Sequence, residues 1–177
     1  AHATQIGHRL GAMTGAERSM AKQLSRGNKS PLDPQLRAMP AEDWQSTAGA
    51  LAAMANALRR AIAGSSGPFY AVALLRAARE LADGRTTPHD WARAFASAVA
   101  GVAELGGAKR GDRTMLDALE PASEAFSAAV REGEAASAAW QRAVRAAEDG
   151  TAATAAMRAR LGRAAYLGDR ALGAPDA

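Results

Sequence analysis

The chain has 177 residues, no cysteine and a formal net charge of +4. This length suits one domain with its own core, and the lack of cysteine excludes a disulfide framework and a thiolate metal site. Lysine occurs only at Lys22, Lys29 and Lys109, and the arginines are scattered among acids, so the charge indicates neither a nucleic acid nor a membrane as partner. No apolar run is long enough to span a bilayer, and a cytoplasmic location is expected.

Apolar residues recur at helical spacing through most of the chain. In chain order they predict helices over residues 6–24, 42–63, 69–83, 88–105, 114–130, 140–150 and 153–157, with a proline-rich loop over residues 25–41. The stripe of the second helix starts at Trp44, and Gly150 is expected to end the sixth. Thr87 and Pro88 are typical of a helix start, and Pro121 is expected to kink its helix.

No segment alternates between apolar and polar residues, so the fold class is predicted to be all-α. The alanine-rich helices favour a tight, antiparallel up-and-down bundle of about seven helices. Glycine-rich polar junctions interrupt them at residues 64–68, 106–114 and 162–176. Alternate loops of such a bundle fall at the same end, so the first two should lie side by side. Glycines and helix N-termini suit an anion, although each loop alone is better explained as an ordinary capped turn.

Familiar catalytic patterns do not occur in the sequence. His2, His8 and His89 stand in no metal-ligand spacing, and exposed positions explain them. The stretch "GSSGP" at residues 64–68 lacks the glycine spacing of a nucleophile elbow. The residues therefore indicate no catalytic group and no metal ligand.

Three ordered segments resemble a known family. They are "GSSGPFY" (64–70), "LGGAKRGDRTMLDALEP" (105–121) and "ARLGRAAYLGDRALG" (159–173), and they are similar to motifs of the nucleotide-binding L domain of the dihydroxyacetone kinase family. The resemblance covers roughly residues 42–176 and implies a barrel of about eight antiparallel helices that holds ADP or ATP with Mg²⁺. It also implies phosphate transfer to a short ketose held on a separate K-type subunit or domain. The acceptor sugar stays open, as does the donor, either ATP or a phosphocarrier protein that recharges a resident ADP.

The resemblance also implies roles for individual residues. Ser65 and Ser66 would contact the nucleotide phosphates, and Arg163 would hold the nucleotide by charge. Gly106 and Met115 would border the adenine, with Thr114 capping the helix beneath it. Two further positions match the family's nucleotide-binding motifs, His2 near the chain start and Asp176 near its end. Asp112 is expected to fix its turn through backbone hydrogen bonds.

The chain departs from the family pattern at several positions. Gly107 and Leu161 replace lysines, and Ala165 replaces a serine. The family's three Mg²⁺-binding aspartates have no counterpart, because "AHATQIG" at residues 1–7 aligns with the end of their motif. They would then lie before Ala1 or be lost. Residues 1–177 are expected to form a single L-type domain without the family's first and last helices.

Three hypotheses follow. The first is the nucleotide-binding domain of a dihydroxyacetone-kinase-type phosphotransferase, working with a K-type partner. The second is a degenerate paralogue that acts as a non-catalytic binding or regulatory module. The third is a purely structural helical bundle whose glycine loops only cap helices.

Overall fold

The computed structural model describes residue 34, residues 37–62, residue 64 and residues 66–176, without the side chain of residue 163. Within these ranges lie five α-helices: α1 (Thr47–Ala61), α2 (Ser66–Glu80), α3 (Pro88–Gly106), α4 (Leu116–Arg131) and α5 (Ala136–Ala153). Short 3-10 helices cover Ala41–Gln45 and Thr154–Ala156, and two more lie within Arg163–Ala171, separated by a kink at Gly168. The described residues contain no strand, and the all-α prediction is confirmed.

Each α-helix packs against the next one in the chain, from α1 through to α5. Short connections between such neighbours make an up-and-down arrangement. The described ranges hold fewer α-helices than the seven to eight predicted for the chain, and the predicted helix over residues 6–24 lies outside them. No described helix combines the length and apolar character needed to cross a membrane.

By its internal contacts the chain divides into two compact units, Ala1–Ala38 and Met39–Ala177. All five α-helices belong to the second unit. The assignment of residues 1–177 to a single domain remains a prediction.

The predicted helix over residues 42–63 is wrong at its start. Ala41–Gln45 is a 3-10 helix, and Ser46 then adopts an extended conformation (φ −139°, ψ 148°) before α1 begins. The Ser46 hydroxyl accepts a hydrogen bond from the Gly49 N–H at 3.0 Å. Such a cap satisfies an N–H that has no partner in the first turn, so it fixes the helix start. Trp44 lies before this cap and is 54% exposed, so it does not belong to the buried stripe.

The helix end predicted at Gly150 is also wrong, because α5 runs through Gly150 to Ala153, and a 3-10 helix follows at Thr154–Ala156 in place of the separate helix predicted over residues 153–157. A Cβ atom at Gly150 would lie 2.1 Å from the carbonyl oxygen of Asp117 in α4. In a regular helix that carbonyl would accept from residue 121, but Pro121 has no N–H. Gly150 therefore allows α5 to approach the α4 backbone closely and does not terminate a helix.

The largest buried side chain at the α4–α5 contact is Phe126, which is 1% exposed. Its ring lies 4.2 Å from that of Trp140 and 6.4 Å from that of Phe95, measured between centroids. Small buried residues complete this cluster: Ala122, Ala129, Val130, Ala139 and Ala143. Alanines allow the helices to approach closely, and the aromatic rings fill the remaining space.

The helix start predicted at Thr87 and Pro88 is confirmed, and the Asp90 carboxylate completes its cap. Thr87 and Asp90 form a capping box: Asp90 N–H donates to Thr87 Oγ1, and Thr87 N–H donates to the Asp90 carboxylate at 3.0 Å. The Thr87 hydroxyl and, at 2.8 Å, Arg93 also donate to this carboxylate. These donors, the Thr87 hydroxyl first, outweigh the effect of burial and lower the pKa of Asp90 from 3.8 to about 2.

We expect Asp90→Asn to unfold at lower urea concentration than wild type at pH 7. Because the folded pKa is lowered, the stabilising effect of the carboxylate is present above pH 3.8 and is lost as the pH falls toward 2. The difference between the two proteins in free energy of unfolding should therefore narrow over that interval. Urea titrations between pH 3.8 and about 2 measure this difference. Asp149→Asn, at an exposed position, is the control. A difference that stays constant with pH would contradict the prediction.

Candidate functional site

A cavity of about 500 Å³ lies where three separate segments meet. The segments are the start of α2, the end of α3 with the loop that follows it, and residues 161–176 near the end of the chain. The lining residues are Phe69, Val102, Gly106, Ala108, Arg113, Thr114, Met115, Leu116, Leu161, Gly162, Ala164 and Asp176. A cavity of this size, apolar with a few polar groups, suits a small organic ligand.

The loop between α3 and α4 is held by two buried carboxylates. Asp112 accepts a hydrogen bond from Lys109 N–H at 3.0 Å, so its predicted role in fixing the turn is confirmed. Asp117, which is 2% exposed, accepts from Gly111 N–H at 2.5 Å and from Thr114 N–H at 2.8 Å. Both acids accept hydrogen bonds from backbone N–H groups and so fix the shape of the loop. Asp117 also connects the loop to the first turn of α4, where it lies.

The structure places four of the sequence-predicted site residues on this cavity: Gly106, Thr114, Met115 and Asp176. Gly106 lies close to the Phe69 ring, since a Cβ atom there would be 3.1 Å from it. The predicted helix start at Thr114 is wrong by two residues, since α4 begins at Leu116. Thr114 nevertheless stabilises that start, and its hydroxyl accepts from Leu116 N–H at 3.2 Å. The roles of these residues toward a ligand stay predictions.

The other predicted site residues either do not line the cavity or lie outside the described residues. Ser66 is the exposed first residue of α2, one turn before Phe69 of the cavity wall. His2 and Ser65 lie outside the described residues. Arg163 opens a 3-10 helix directly after Gly162 of the cavity wall, and its side chain lies outside the description.

Sequence reasoning missed Arg113, which also lines the cavity. Its side chain is only 3% exposed, and Nη2 donates to the carbonyl oxygen of Ala174 at 2.8 Å. Neither Nε nor Nη1 has a hydrogen-bond partner within the described part of the chain. The available signal was a basic residue in the stretch "KRGDRTM" of the second glycine-rich junction. The sequence does not show which of the three basic side chains in this stretch is buried.

Acidic residues near the cavity do not form a metal site by themselves. Among the described residues, no group of three or more His, Asp or Glu side chains is arranged to hold a metal ion. Mg²⁺ requires several oxygen ligands at near-octahedral geometry. Asp112 and Asp117 are already bonded to the backbone, so the described residues do not fit the Mg²⁺ ion that the family resemblance implies.

Comparison with known proteins agrees with the motifs. The model of the DAK2 domain matches residues 32–177. The chain is 36% identical over 115 residues to D-erythrulose kinase of Mycolicibacterium smegmatis, covering 64% of this chain and 20% of that protein. It is 32% identical over 155 residues to a putative 3,4-dihydroxy-2-butanone kinase of Solanum lycopersicum, covering 85% of this chain and 26% of that protein.

A smaller relative is the ADP-binding subunit of the PEP-dependent dihydroxyacetone kinase of Escherichia coli. It is 32% identical over 120 residues, or 67% of this chain and 57% of that subunit. The chain thus spans about a fifth to a quarter of the first two relatives and just over half of this one. The helical fold, the cavity at the motif loops and the match over residues 32–177 lead to one conclusion: the chain belongs to the DAK2 domain family of dihydroxyacetone kinases.

Proposed function

We propose that the chain is the nucleotide-binding domain of a dihydroxyacetone-kinase-type phosphotransferase. In this role it holds ADP or ATP while phosphate passes to a short ketose on a K-type partner. The observation that carries the proposal is the cavity, because residues from or next to all three family motifs line it. The E. coli relative, named as an ADP-binding subunit, supports the same ligand.

The cavity walls suit the two chemically different parts of a nucleotide. Phe69, Val102, Met115 and Leu116 provide an apolar surface for a flat base. Gly106 and Met115 would border the adenine, as the family resemblance implies. The family resemblance implies that Ser65, Ser66 and Arg163 would contact the phosphates, and hydroxyl groups and a cation are appropriate donors for them.

A second candidate, a non-catalytic binding or regulatory module, is favoured by the cavity wall itself. Leu161 lines the cavity where the family pattern has a lysine, and Gly107 replaces another lysine at the end of α3. Each replacement removes a positive charge that would attract the phosphates of a nucleotide. One assay distinguishes the two candidates: phosphate transfer to dihydroxyacetone on a K-type subunit, with a phosphoryl donor supplied. The phosphotransferase domain supports this transfer, and the non-catalytic module does not.

The proposed site predicts that Arg163→Ala weakens ADP binding by about tenfold or more, the typical loss of a charge-assisted hydrogen bond. Calorimetric titration of ADP gives the affinity, and thermal melting shows whether the fold is retained. Arg170→Ala is the matched control, since Arg170 is exposed and lies in the same segment, Arg163–Ala171, after the break at Gly168. An unchanged ADP affinity together with a lower melting temperature would assign Arg163 to the fold and count against the site.

A further inference from the structure

Arg113 is a buried cation whose hydrogen bonds are incomplete. Nη2 is bonded to Ala174, while Nε and Nη1 are buried without a partner among the described residues. The nearest described carboxylate oxygen, Oδ2 of Asp176, lies 3.9 Å from Nε, which is too long for a hydrogen bond. Burial of a charge is unfavourable unless hydrogen bonds and an opposite charge compensate it. The described residues therefore leave the Arg113 guanidinium in need of an additional acceptor.

The backbone around Arg113 holds the side chain in place despite this deficit. Arg113 has φ +61°, the left-handed conformation that non-glycine residues other than Asn and Asp rarely adopt. Asp117 fixes the residues on both sides of it by accepting from Gly111 and Thr114. At the other end, the Ala174 carbonyl anchors the guanidinium. Strained conformations that the surroundings enforce are characteristic of ligand sites.

We propose that Arg113 is a phosphate-binding residue of the cavity, donating from Nη1 to an oxygen of the bound nucleotide's phosphate chain. This inference rests on the proposed nucleotide site. It adds Arg113 to the three residues already predicted to contact the phosphates, Ser65, Ser66 and Arg163. A guanidinium and a phosphate form strong charge-assisted hydrogen bonds. An anion would also neutralise the buried charge, which a neutral group cannot do.

Asp176 does not replace the ligand in this arrangement. Its carboxylate oxygen Oδ2 lies 3.9 Å from Nε, beyond hydrogen-bond distance, and its side chain is 51% exposed. Its backbone N–H donates to Thr154 Oγ1 at 2.8 Å, which holds the end of the chain against the end of α5. Asp176 thus leaves Nη1 without a hydrogen-bond partner among the described residues, and the phosphate would supply one.

The test compares Arg113→Asn and Arg113→Lys with wild type. Asparagine tolerates the left-handed conformation, so Arg113→Asn removes the charge while preserving the loop. Lysine keeps the charge but loses the planar set of donors. Arg160→Gln is the matched control, because Arg160 is 67% exposed and its Nη1 lies 3.7 Å from Asp112 Oδ1 in the same region. The probes are ADP, adenosine and inorganic pyrophosphate, titrated by calorimetry, with each protein's melting temperature measured with and without probe.

We expect Arg113→Asn to weaken ADP and pyrophosphate binding by about tenfold or more, with adenosine affinity nearly unchanged. Arg113→Lys should lose less, and Arg160→Gln should bind like wild type. The rise in melting temperature caused by ADP should shrink in Arg113→Asn, whatever the melting temperature of the free variant.

Equal losses for ADP and adenosine, or an unchanged ADP affinity in Arg113→Asn, would overturn the assignment of Arg113 while leaving the nucleotide site intact. If wild type bound pyrophosphate but not ADP, the nucleotide proposal would fail, and the pyrophosphate arm would still decide the role of Arg113. Wild type that bound none of the probes would overturn both proposals.

Discussion

Phe126→Ala is expected to lower the free energy of unfolding by about 3–5 kcal/mol, the usual cost of truncating a buried phenylalanine. Phe126 is 1% exposed and contacts the rings of Phe95 and Trp140. The neighbours in its cluster are mostly alanines, which have no rotatable side chain with which to fill the cavity left behind. Little relaxation is therefore available, and the loss should fall at the upper end of that range.

Urea denaturation followed by circular dichroism measures the effect of Phe126→Ala. Tyr166→Ala is the control, because it removes an aromatic ring that is 91% exposed and should change stability little. Small domains are stable by about 5–15 kcal/mol, so Phe126→Ala should shift the transition far toward low urea concentration. Equal effects of the two substitutions would show that the α4–α5 contact is not the core of the fold.

Gly150→Ala is the second substitution with a large expected effect, a loss of about 1–3 kcal/mol or more from overpacking. Alanine normally stabilises a helix interior relative to glycine by about 1 kcal/mol. Here the new methyl group would lie 2.1 Å from the Asp117 carbonyl oxygen, a backbone atom that cannot turn aside. The two helices must separate, and Asp117 also holds the loop that lines the cavity. Loss of ADP affinity is expected to accompany the loss of stability.

Gly101→Ala in α3 provides a matched comparison for Gly150→Ala. The closest atom to its new methyl group is Cγ of Arg76, at 2.8 Å. That atom belongs to a side chain, so a change of the Arg76 rotamer can relieve the clash, although it disturbs the ion pair with Glu104. A smaller loss of stability than for Gly150→Ala is therefore expected. Thermal melting of both variants, with and without ADP, measures the difference. A Gly150→Ala protein as stable as wild type would show that the α4–α5 approach is looser than described.

Much of the cavity could be predicted from the sequence because glycine-rich loops leave a clear signal. The resemblance selected Gly106, Thr114, Met115 and Asp176, and all four line the cavity. Alternation of loops along an up-and-down bundle also predicted that the first two glycine-rich junctions lie at one end, and Phe69 lines the cavity with the second loop. The choice of residues rests on the family resemblance, and the placement of the loops rests on the alternation of helices and loops along the chain.

The sequence by itself determined the all-α class and several helix ends, because helical spacing and capping residues such as Thr87 act within one turn of chain. Only the tertiary structure decided which groups are buried or in contact. Trp44 fits the helical stripe but is exposed, and Gly150 resembles a helix end but lies where α5 meets the α4 backbone. Arg113 is an ordinary basic residue in the sequence, but in the fold it is a buried cation with two nitrogens that lack hydrogen-bond partners among the described residues. The physical reason is the same in each case: burial depends on segments far apart in the chain, which spacing alone does not encode.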